Sequence, residues 1–288
     1  MIVFKNKHVT VFQSSIVQTN STVIETEDMI LVVDPAWLPS EVEMLRVEVE
    51  KLIREADRPV YLLFTHSDFD HVLGYGAFPK AKTIASIGVK EHSAKEEIVK
   101  KIKAFDDEIY VKRQYEIEFP QINHVIVEDG QKLTLGATVL TFYRAPGHTA
   151  DGIFTVIDSL GIFIGGDYLS DQEFPFIENR KDYERTLVKA AGIVENHPIT
   201  LYIPGHGQPT DDTREIIRRQ QNDLQYIRKL TELFSVGNKK NELEEHINQY
   251  EFIEGIRQEH DKNMEVVKKE IVQDTSQNLW NEDLEDRK

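Results

Sequence analysis

The chain begins with short apolar segments that are rich in β-branched residues and are separated by polar turns. Their length and composition predict β-strands joined by hairpins. The predicted strands are Ile2–Phe4, Val9–Phe12, Thr22–Glu25 and Met29–Val33.

The hydrophobic period then changes to that of a helix. Apolar residues recur at helical spacing over 42–53, and Ser40 is the predicted N-cap, with Glu43 as its capping-box partner. An apolar strand follows at Pro59–Thr65, and a short helix is predicted near Asp70. Hairpins therefore give way to an alternation of strands and helices.

The second half repeats this organisation. Residues 88–118 carry interleaved basic and acidic side chains, which is typical of a solvated helix. The elements predicted after them are the strands Val125–Val127, Lys132–Leu135, Thr138–Tyr143, Ile153–Ile157 and Ile162–Ile164, the helix Tyr183–Val194, the strand Leu201–Ile203, and helices only from Asp211. Two strand-rich halves, each followed by helices, predict two packed sheets with helices outside. We expect a catalytic domain over 1–210 and a helical extension over 211–288 packed on it.

Composition restricts the partners and the site chemistry. The formal net charge is −16, so the protein should repel phosphate groups, and neither nucleic acid nor a membrane is an expected partner. The chain has no cysteine, which leaves nitrogen and oxygen ligands for any metal. The N-terminal stretch lacks the apolar region of a signal peptide, and no segment has the length of a membrane span. A cytoplasmic protein is therefore expected.

Potential metal ligands occur where predicted strands end. The first set follows the strand that ends near Phe64, and it consists of His66, Asp68, Asp70 and His71. Three later strands end in tight turns that carry His148, Asp167 and His206. Sites in α/β sheets lie at strand carboxyl ends, and imidazole with carboxylate suits zinc, iron or manganese.

The order of these motifs resembles that of the metallo-β-lactamase superfamily. The matching motifs are His-x-Asp-x-Asp-His over 66–71, a later Gly-His, a Gly-Asp and a Pro-Gly-His. Val32–Pro35, in which Asp34 ends a strand, resembles the first motif of the family. The similarity spans Thr22 to Gly207 and implies an α/β (α+β) fold class, a four-layer αββα sandwich with C-terminal helices and a binuclear metal site at one edge.

The resemblance also implies a role for each matching residue. One metal ion takes His66, Asp68 and His148, the other takes Asp70, His71 and His206, and Asp167 bridges the two. Asp34 supports the ligand loop without binding metal. Two divalent ions are expected, zinc first, with manganese or iron as alternatives because of Asp68.

Position 68 departs from the commonest family pattern, which has histidine there. The form with aspartate is similar to phosphorylcholine esterases and to hydrolase domains linked to DNA uptake, and the form with glutamate belongs to flavodiiron reductases. Two divalent ions, three aspartates and a bridging hydroxide make the site formally neutral, whereas histidine at position 68 would leave one positive charge. A less positive site should acidify its bound water less.

The expected activity is hydrolysis of an ester, thioester or lactone bond of a small molecule by a hydroxide that bridges the two metal ions. Asp70 should orient the hydroxide, and Tyr168 either donates a hydrogen bond to the developing oxyanion or packs beside the site. A phosphodiesterase is the alternative that Asp68 suggests. An iron-dependent oxidoreductase, similar to persulfide dioxygenases or flavodiiron enzymes, is the alternative from another class. A module that has lost its metal is a third, and the retained ligands weigh against it.

Other residues are less strongly indicated. Trp37, Phe174 and Phe176 are candidate walls of a substrate cleft, and Arg180 is a candidate for holding a substrate anion, although loop packing is the preferred interpretation of each. The C-terminal helices either close over the sandwich or form a homodimer contact. The residues expected at the surface include His8, His92, His246, His260, Arg214, Arg218 and Arg219.

Overall fold

Two sheets form the centre of the protein in a computed structural model, which describes the backbone of residues 1–235 and 240–285 and the side chains up to residue 274. The strands of the first sheet, in spatial order, are β1 (Ile2–Lys5), β2 (Val9–Gln13), β3 (Asn20–Glu25), β4 (Ile30–Val33), β5 (Val60–Leu63), β6 (Lys82–Ser86) and β7 (His124–Ile126). Those of the second are β8 (Gln131–Leu135), β9 (Thr138–Arg144), β10 (Ile153–Ile157), β11 (Ile162–Gly166) and β12 (Leu201–Pro204), arranged in space from β12 to β8.

Strand directions change within each sheet. Strands β1 to β4 pair antiparallel, and β4 to β7 pair parallel. In the second sheet β11 and β12 are parallel, whereas the remaining neighbours are antiparallel. Strands β9, β11 and β12 consequently run in the same direction and end at one edge of their sheet.

Helices cover the outer faces. They are α1 (Pro39–Glu55), α2 (Phe69–Val72), α3 (Ile87–Lys90), α4 (Lys95–Glu108), α5 (Arg180–Asn196), α6 (Thr213–Ser235), α7 (Lys240–Ile247) and α8 (Ile253–Glu285). The side chain of Trp280 lies outside the described residues.

Three hydrophobic clusters separate the layers. Alternate side chains of a strand face opposite sides of its sheet, so Leu31 packs between the two sheets while Val32 packs under α1. Likewise Ile164 faces the first sheet, and Phe163 faces a third cluster with side chains of α5, α6 and α8. The four-layer arrangement predicted from the sequence is confirmed. The proposed boundary between domains near residue 210 stays a prediction, although the third cluster joins Tyr202 of the sandwich to helices on both sides of it.

Several local predictions are corrected by the structure. Helix α1 begins one residue before the predicted cap, because Pro39 fits the first helical position and Glu41, not Glu43, accepts a hydrogen bond from the Leu38 amide at 3.0 Å. Residues 109–118, predicted to be mostly helical, form no helix beyond α4. Three residues expected at the surface are buried by packing of the C-terminal helices, namely His246, His260 and Arg219.

Among residues 1–235 and 240–285, no helix combines the length and the apolar character needed to cross a membrane.

Candidate metal centre

The ends of five strands bring the predicted ligands together. The ligand segments follow β5, β9, β11 and β12, and the Asp34 segment follows β4. Ligand atoms fall into two groups, in each of which they lie within 4.8 Å of one another. The first group is His66, Asp68, His148 and Asp167, and the second is Asp70, His71 and His206.

The first group is centred on carboxylate oxygens. His148 Nε2 lies 3.3 Å from Asp68 Oδ2 and 3.3 Å from Asp167 Oδ2. His66 Nε2 lies 3.6 Å from Asp68 Oδ2 and 3.5 Å from Asp167 Oδ2. Two imidazole nitrogens and two carboxylates therefore converge on one small volume.

The second group adjoins the first through the same aspartate. Asp70 Oδ2 lies 3.4 Å from both His71 Nε2 and His206 Nε2. Asp167 Oδ1 lies 3.2 Å from His71 Nε2, and its Oδ2 lies 3.3 Å from His206 Nε2. Asp167 is therefore in contact with histidines of both groups.

Buried atoms without partners show that the donor set fits metal ions. The Nε2 atoms of His66, His71 and His148 are buried without a hydrogen-bond partner, as is Oδ1 of Asp167. A buried polar atom with no partner is costly, so native structures seldom leave several side by side. Divalent cations bound by these nitrogen and oxygen atoms would satisfy them.

Each imidazole of the predicted ligands is oriented by its Nδ1 atom. His71 Nδ1 lies 3.0 Å from Asp34 Oδ2, and His66 Nδ1 lies 3.0 Å from Thr65 Oγ1. Thr65 in turn donates to Asp34 through its hydroxyl at 2.6 Å and its amide at 2.9 Å. An acceptor at Nδ1 fixes the tautomer that leaves Nε2 free for a metal.

Main-chain carbonyls do the same for the other two rings. His148 Nδ1 lies 3.0 Å from the Phe176 carbonyl oxygen, and His206 Nδ1 lies 2.8 Å from that of Val17. Asp34 was proposed from the sequence as a support of the ligand loop, whereas these two carbonyls were missed, because a backbone oxygen has no signature in the sequence. Thr65 was visible directly before His66, and it too was missed.

Two positions beside the predicted ligands require glycine, because neighbouring atoms occupy the space that a side chain would need. A side chain at Gly205 would collide with the carboxylate of Asp167, and one at Gly147 would collide with the backbone of Tyr183. Gly147 also has a φ of 128°, which is unfavourable for other residues. The turns that carry His148 and His206 thus owe their shape to these glycines.

The site has strongly coupled charges. Burial lowers the pKa of His66, but Asp167 and Asp68 more than offset this and raise it to about 9. Burial raises the pKa of Asp167, yet the surrounding His71, His206 and His66 hold it well below its usual value. The carboxylates thus remain ionised and stabilise positive charge at the imidazoles, which is either a proton or a metal ion.

Exposure shows where the site opens. The side chain of Asp68 is 49% exposed, whereas the other six side chains are each at most 12% exposed. The centre is therefore reached from the side of Asp68.

Tyr168 is not free to act on a substrate. Its hydroxyl donates its one proton between the carbonyl oxygens of Pro146 at 2.9 Å and Ala145 at 3.2 Å, and it accepts from the His148 amide at 2.9 Å. Burial also raises the pKa of Tyr168. The proposed donor to an oxyanion is corrected to a side chain that braces the His148 turn.

The candidate substrate contacts are also corrected in part. Trp37 is 3% exposed and packs on Phe69 and Phe105, and Phe174 is 2% exposed and stacks on Tyr226. Both rings lie in hydrophobic cores because neighbouring helices cover them.

Arg180 and Phe176 have structural contacts too. Arg180 pairs with Glu184 at 3.2 Å, Glu270 at 3.5 Å and Asp274 at 3.7 Å, which leaves its guanidinium committed to protein carboxylates. The half-buried ring of Phe176 lies 6.4 Å from that of His148, so this candidate wall adjoins a predicted ligand.

A family model described as the metallo-β-lactamase superfamily matches residues 15–223. The chain belongs to the metallo-β-lactamase superfamily. Members of this superfamily are hydrolases, so the enzyme class expected from the motifs is confirmed.

The individual proteins that the chain resembles are only distantly similar to it. A metallo-β-lactamase type 2 of Bacillus cereus is 26% identical over 204 residues, which cover 69% of this chain and 71% of that protein. A metallo-β-lactamase family protein of Thermus thermophilus has a similar fold, with a TM-score of 0.56, 18% identity and coverage of 80% of this chain and 83% of that one. A stereoselective inverting sec-alkylsulfatase of Pseudomonas sp. has a TM-score of 0.55 and 14% identity. The match covers 78% of this chain but only 42% of that sulfatase.

Proposed function

We propose that the protein is a binuclear metal-dependent hydrolase that cleaves an ester, thioester or lactone bond of a small molecule. The observation that carries this proposal is the position of Asp167, whose two oxygens lie 3.2–3.5 Å from histidines of both ligand groups. A carboxylate in that position suits two ions that share a ligand. When bound, such ions supply an activated hydroxide at neutral pH and polarise the scissile bond.

The residues of the chain provide orientation and access. Asp70 is held between His71 and His206, which fixes its carboxylate beside the shared ligand. Asp68 faces solvent, and a polar cavity of about 490 Å³ flanks the His148 turn. Glu178 lines this cavity. Its pKa is raised first by burial and then by the negative charge of Asp68. Gly147 and Thr149, on either side of His148, line this cavity, but none of the seven predicted ligands does.

The ligand set favours zinc, with manganese or iron as alternatives. All seven groups offer nitrogen or oxygen, and the exposed carboxylate of Asp68 makes the set harder than one with histidine at that position. A phosphodiester is the second substrate class that this carboxylate supports, through its resemblance to phosphorylcholine esterases.

The first experiment is elemental mass spectrometry of protein purified without added metal, followed by assays on esters, thioesters, lactones, β-lactams and phosphodiesters. About two zinc or manganese ions per chain, with hydrolysis in the first three classes, is the expected result. The His206→Ala variant should lose both metal and activity, and the His8→Ala variant, whose histidine lies outside both ligand groups, should retain both.

Other outcomes would replace the proposal. Two bound iron ions and oxygen consumption would favour the oxidoreductase. Hydrolysis of phosphodiesters alone would favour the phosphodiesterase. No metal, even after reconstitution with zinc, manganese or iron, would contradict the hydrolase altogether.

A further inference from the structure

The orientation of His148 depends on a loop beyond its own strand. This loop, residues 170–178, joins the turn after Asp167 to α5. The Phe176 carbonyl accepts a hydrogen bond from His148 Nδ1 at 3.0 Å, while His148 Nε2 faces Asp68 and Asp167. Any displacement of the peptide at Phe176 would therefore turn the imidazole away from the carboxylates.

The loop is fixed from the C-terminal helices by one side chain. Asn263 of α8 is 1% exposed. Its Oδ1 accepts from the Ile177 amide at 2.8 Å, and its Nδ2 donates to the Pro175 carbonyl at 2.5 Å. The two bonds bracket Phe176, so the amide of Asn263 holds the backbone on both sides of the carbonyl that contacts His148.

The orientation of Asn263 is itself fixed. The Ile177 amide requires an acceptor and the Pro175 carbonyl requires a donor, so only one orientation of the side-chain amide satisfies both. Nδ2 also lies 2.9 Å from the hydroxyl of Tyr226, on α6. Helices α6 and α8 thus hold the loop through a buried polar network, and such networks specify one arrangement when every member is satisfied.

We propose that Asn263 is a positioning residue of the metal centre. Through the Phe176 carbonyl it fixes the ring of His148, and thereby the metal position formed by His66, Asp68 and His148. The inference rests on the metal ligands of the proposed function but not on its hydrolytic activity. It makes the C-terminal helices part of the metal centre.

The test is zinc binding by the Asn263→Leu variant, which removes both bonds and keeps a similar volume. Competition with a chromophoric chelator should show one zinc ion bound about 10- to 100-fold more weakly, and the other bound with less change. The absorption spectrum of the cobalt(II)-loaded variant should also differ from that of the wild type, because one ion loses a correctly oriented imidazole.

The Val267→Ala variant is the matched control. Val267 is fully buried in the same helix and packs in the third hydrophobic cluster, but no hydrogen bond joins its side chain to the loop. It should lower the Tm and leave zinc affinity and the cobalt(II) spectrum unchanged.

The proposal is overturned if Asn263→Leu binds both zinc ions as the wild type does, or if Val267→Ala loses zinc to the same extent. If Asn263→Leu fails to fold, the Asn263→Asp variant replaces it in the test, since it keeps an acceptor for the Ile177 amide and removes the donor to the Pro175 carbonyl. Weaker zinc binding by this variant supports the positioning role, and unchanged zinc binding contradicts it. Wild-type protein that binds two zinc ions without hydrolysing any substrate would contradict the proposed function and leave the positioning role intact.

Discussion

The four histidines predicted to bind metal share one arrangement. In each, Nδ1 has a hydrogen-bonding neighbour of its own, which leaves Nε2 to face the carboxylates. Asp167 occupies the centre of these rings, whereas Asp68 stands at the solvent side with half of its side chain exposed. At the scale of single residues, Asp68 is thus the predicted ligand whose charge can be changed with least disturbance to buried packing.

We predict that the Asp68→His variant has a more acidic rate optimum than the wild type. Replacing the carboxylate with imidazole adds one unit of positive charge to the loaded site, which should acidify its bound water. The measurement is a pH–rate profile with the best substrate found. Asp68→Asn, which removes the carboxylate charge without adding an imidazole, should shift the optimum in the same direction. Coincident optima for all three proteins would contradict the charge argument.

At the scale of elements, α6 secures the turn after Asp167. Arg219 is 4% exposed and donates to the carbonyls of Gln208 at 2.9 Å and Leu169 at 3.4 Å. Leu169 has a φ of 53°, an unfavourable conformation for a residue with a side chain. The strand end that carries Asp167 is therefore held by a helix that follows the last predicted ligand in sequence.

We predict that Arg219→Leu lowers the free energy of unfolding by about 1–3 kcal/mol, because it leaves the buried carbonyl of Leu169 without this donor and removes one of the two cationic partners of Glu215. Arg218→Leu is the control on the same helix. Arg218 also pairs with Glu215, but its side chain is 64% exposed, so its loss should cost about 1 kcal/mol or less. Urea unfolding measures both. Equal losses in the two variants would show that the buried contacts of Arg219 contribute nothing.

At the scale of the whole molecule, the C-terminal helices share a core with the second sheet. Tyr226, Leu230 and Val267 pack in one cluster with Phe154 of that sheet. Polar side chains are enclosed in the same region, among them His246, which is 5% exposed and lies against the ring of Tyr226. Burial, and then the charge of Lys229, lower the pKa of His246 to about 4.

This burial predicts a pH dependence of stability. An unfolded histidine titrates near 6.5, so between pH 6.5 and 4 the unfolded chain binds a proton that the folded His246 does not. The stability that the folded protein owes to a neutral His246 is fully present above pH 6.5, and it decreases as the pH falls from 6.5 toward 4. Between pH 6.5 and 5 the wild type should lose about 1 kcal/mol more than His246→Phe. Urea unfolding at pH 7.5, 6.5 and 5 checks this, and parallel losses in both proteins would contradict it.

Prediction from sequence succeeded where the signal is local. Strand and helix periods are set by neighbouring residues, so the predicted strands agree with the structure to within two residues at each end. The start of α1 agrees to within two residues, since Leu38 is the N-cap and Ser40 was predicted; the error arose because Ser40 and Pro39 are both favourable near a helix N-terminus. Burial of Arg219 and His246 was not predictable in this way, since it results from packing between helices.

The sequence by itself determined the family, the four-layer fold and seven candidate ligands, because each ligand follows a strand in a short motif of recognisable order. Only the tertiary structure decided how those ligands are oriented. The carbonyls of Val17 and Phe176 hold two of the imidazoles, and Asn263 and Arg219 hold the loops nearby. These contacts join segments far apart in the chain, and several use backbone atoms that every residue possesses, so no local pattern could distinguish them.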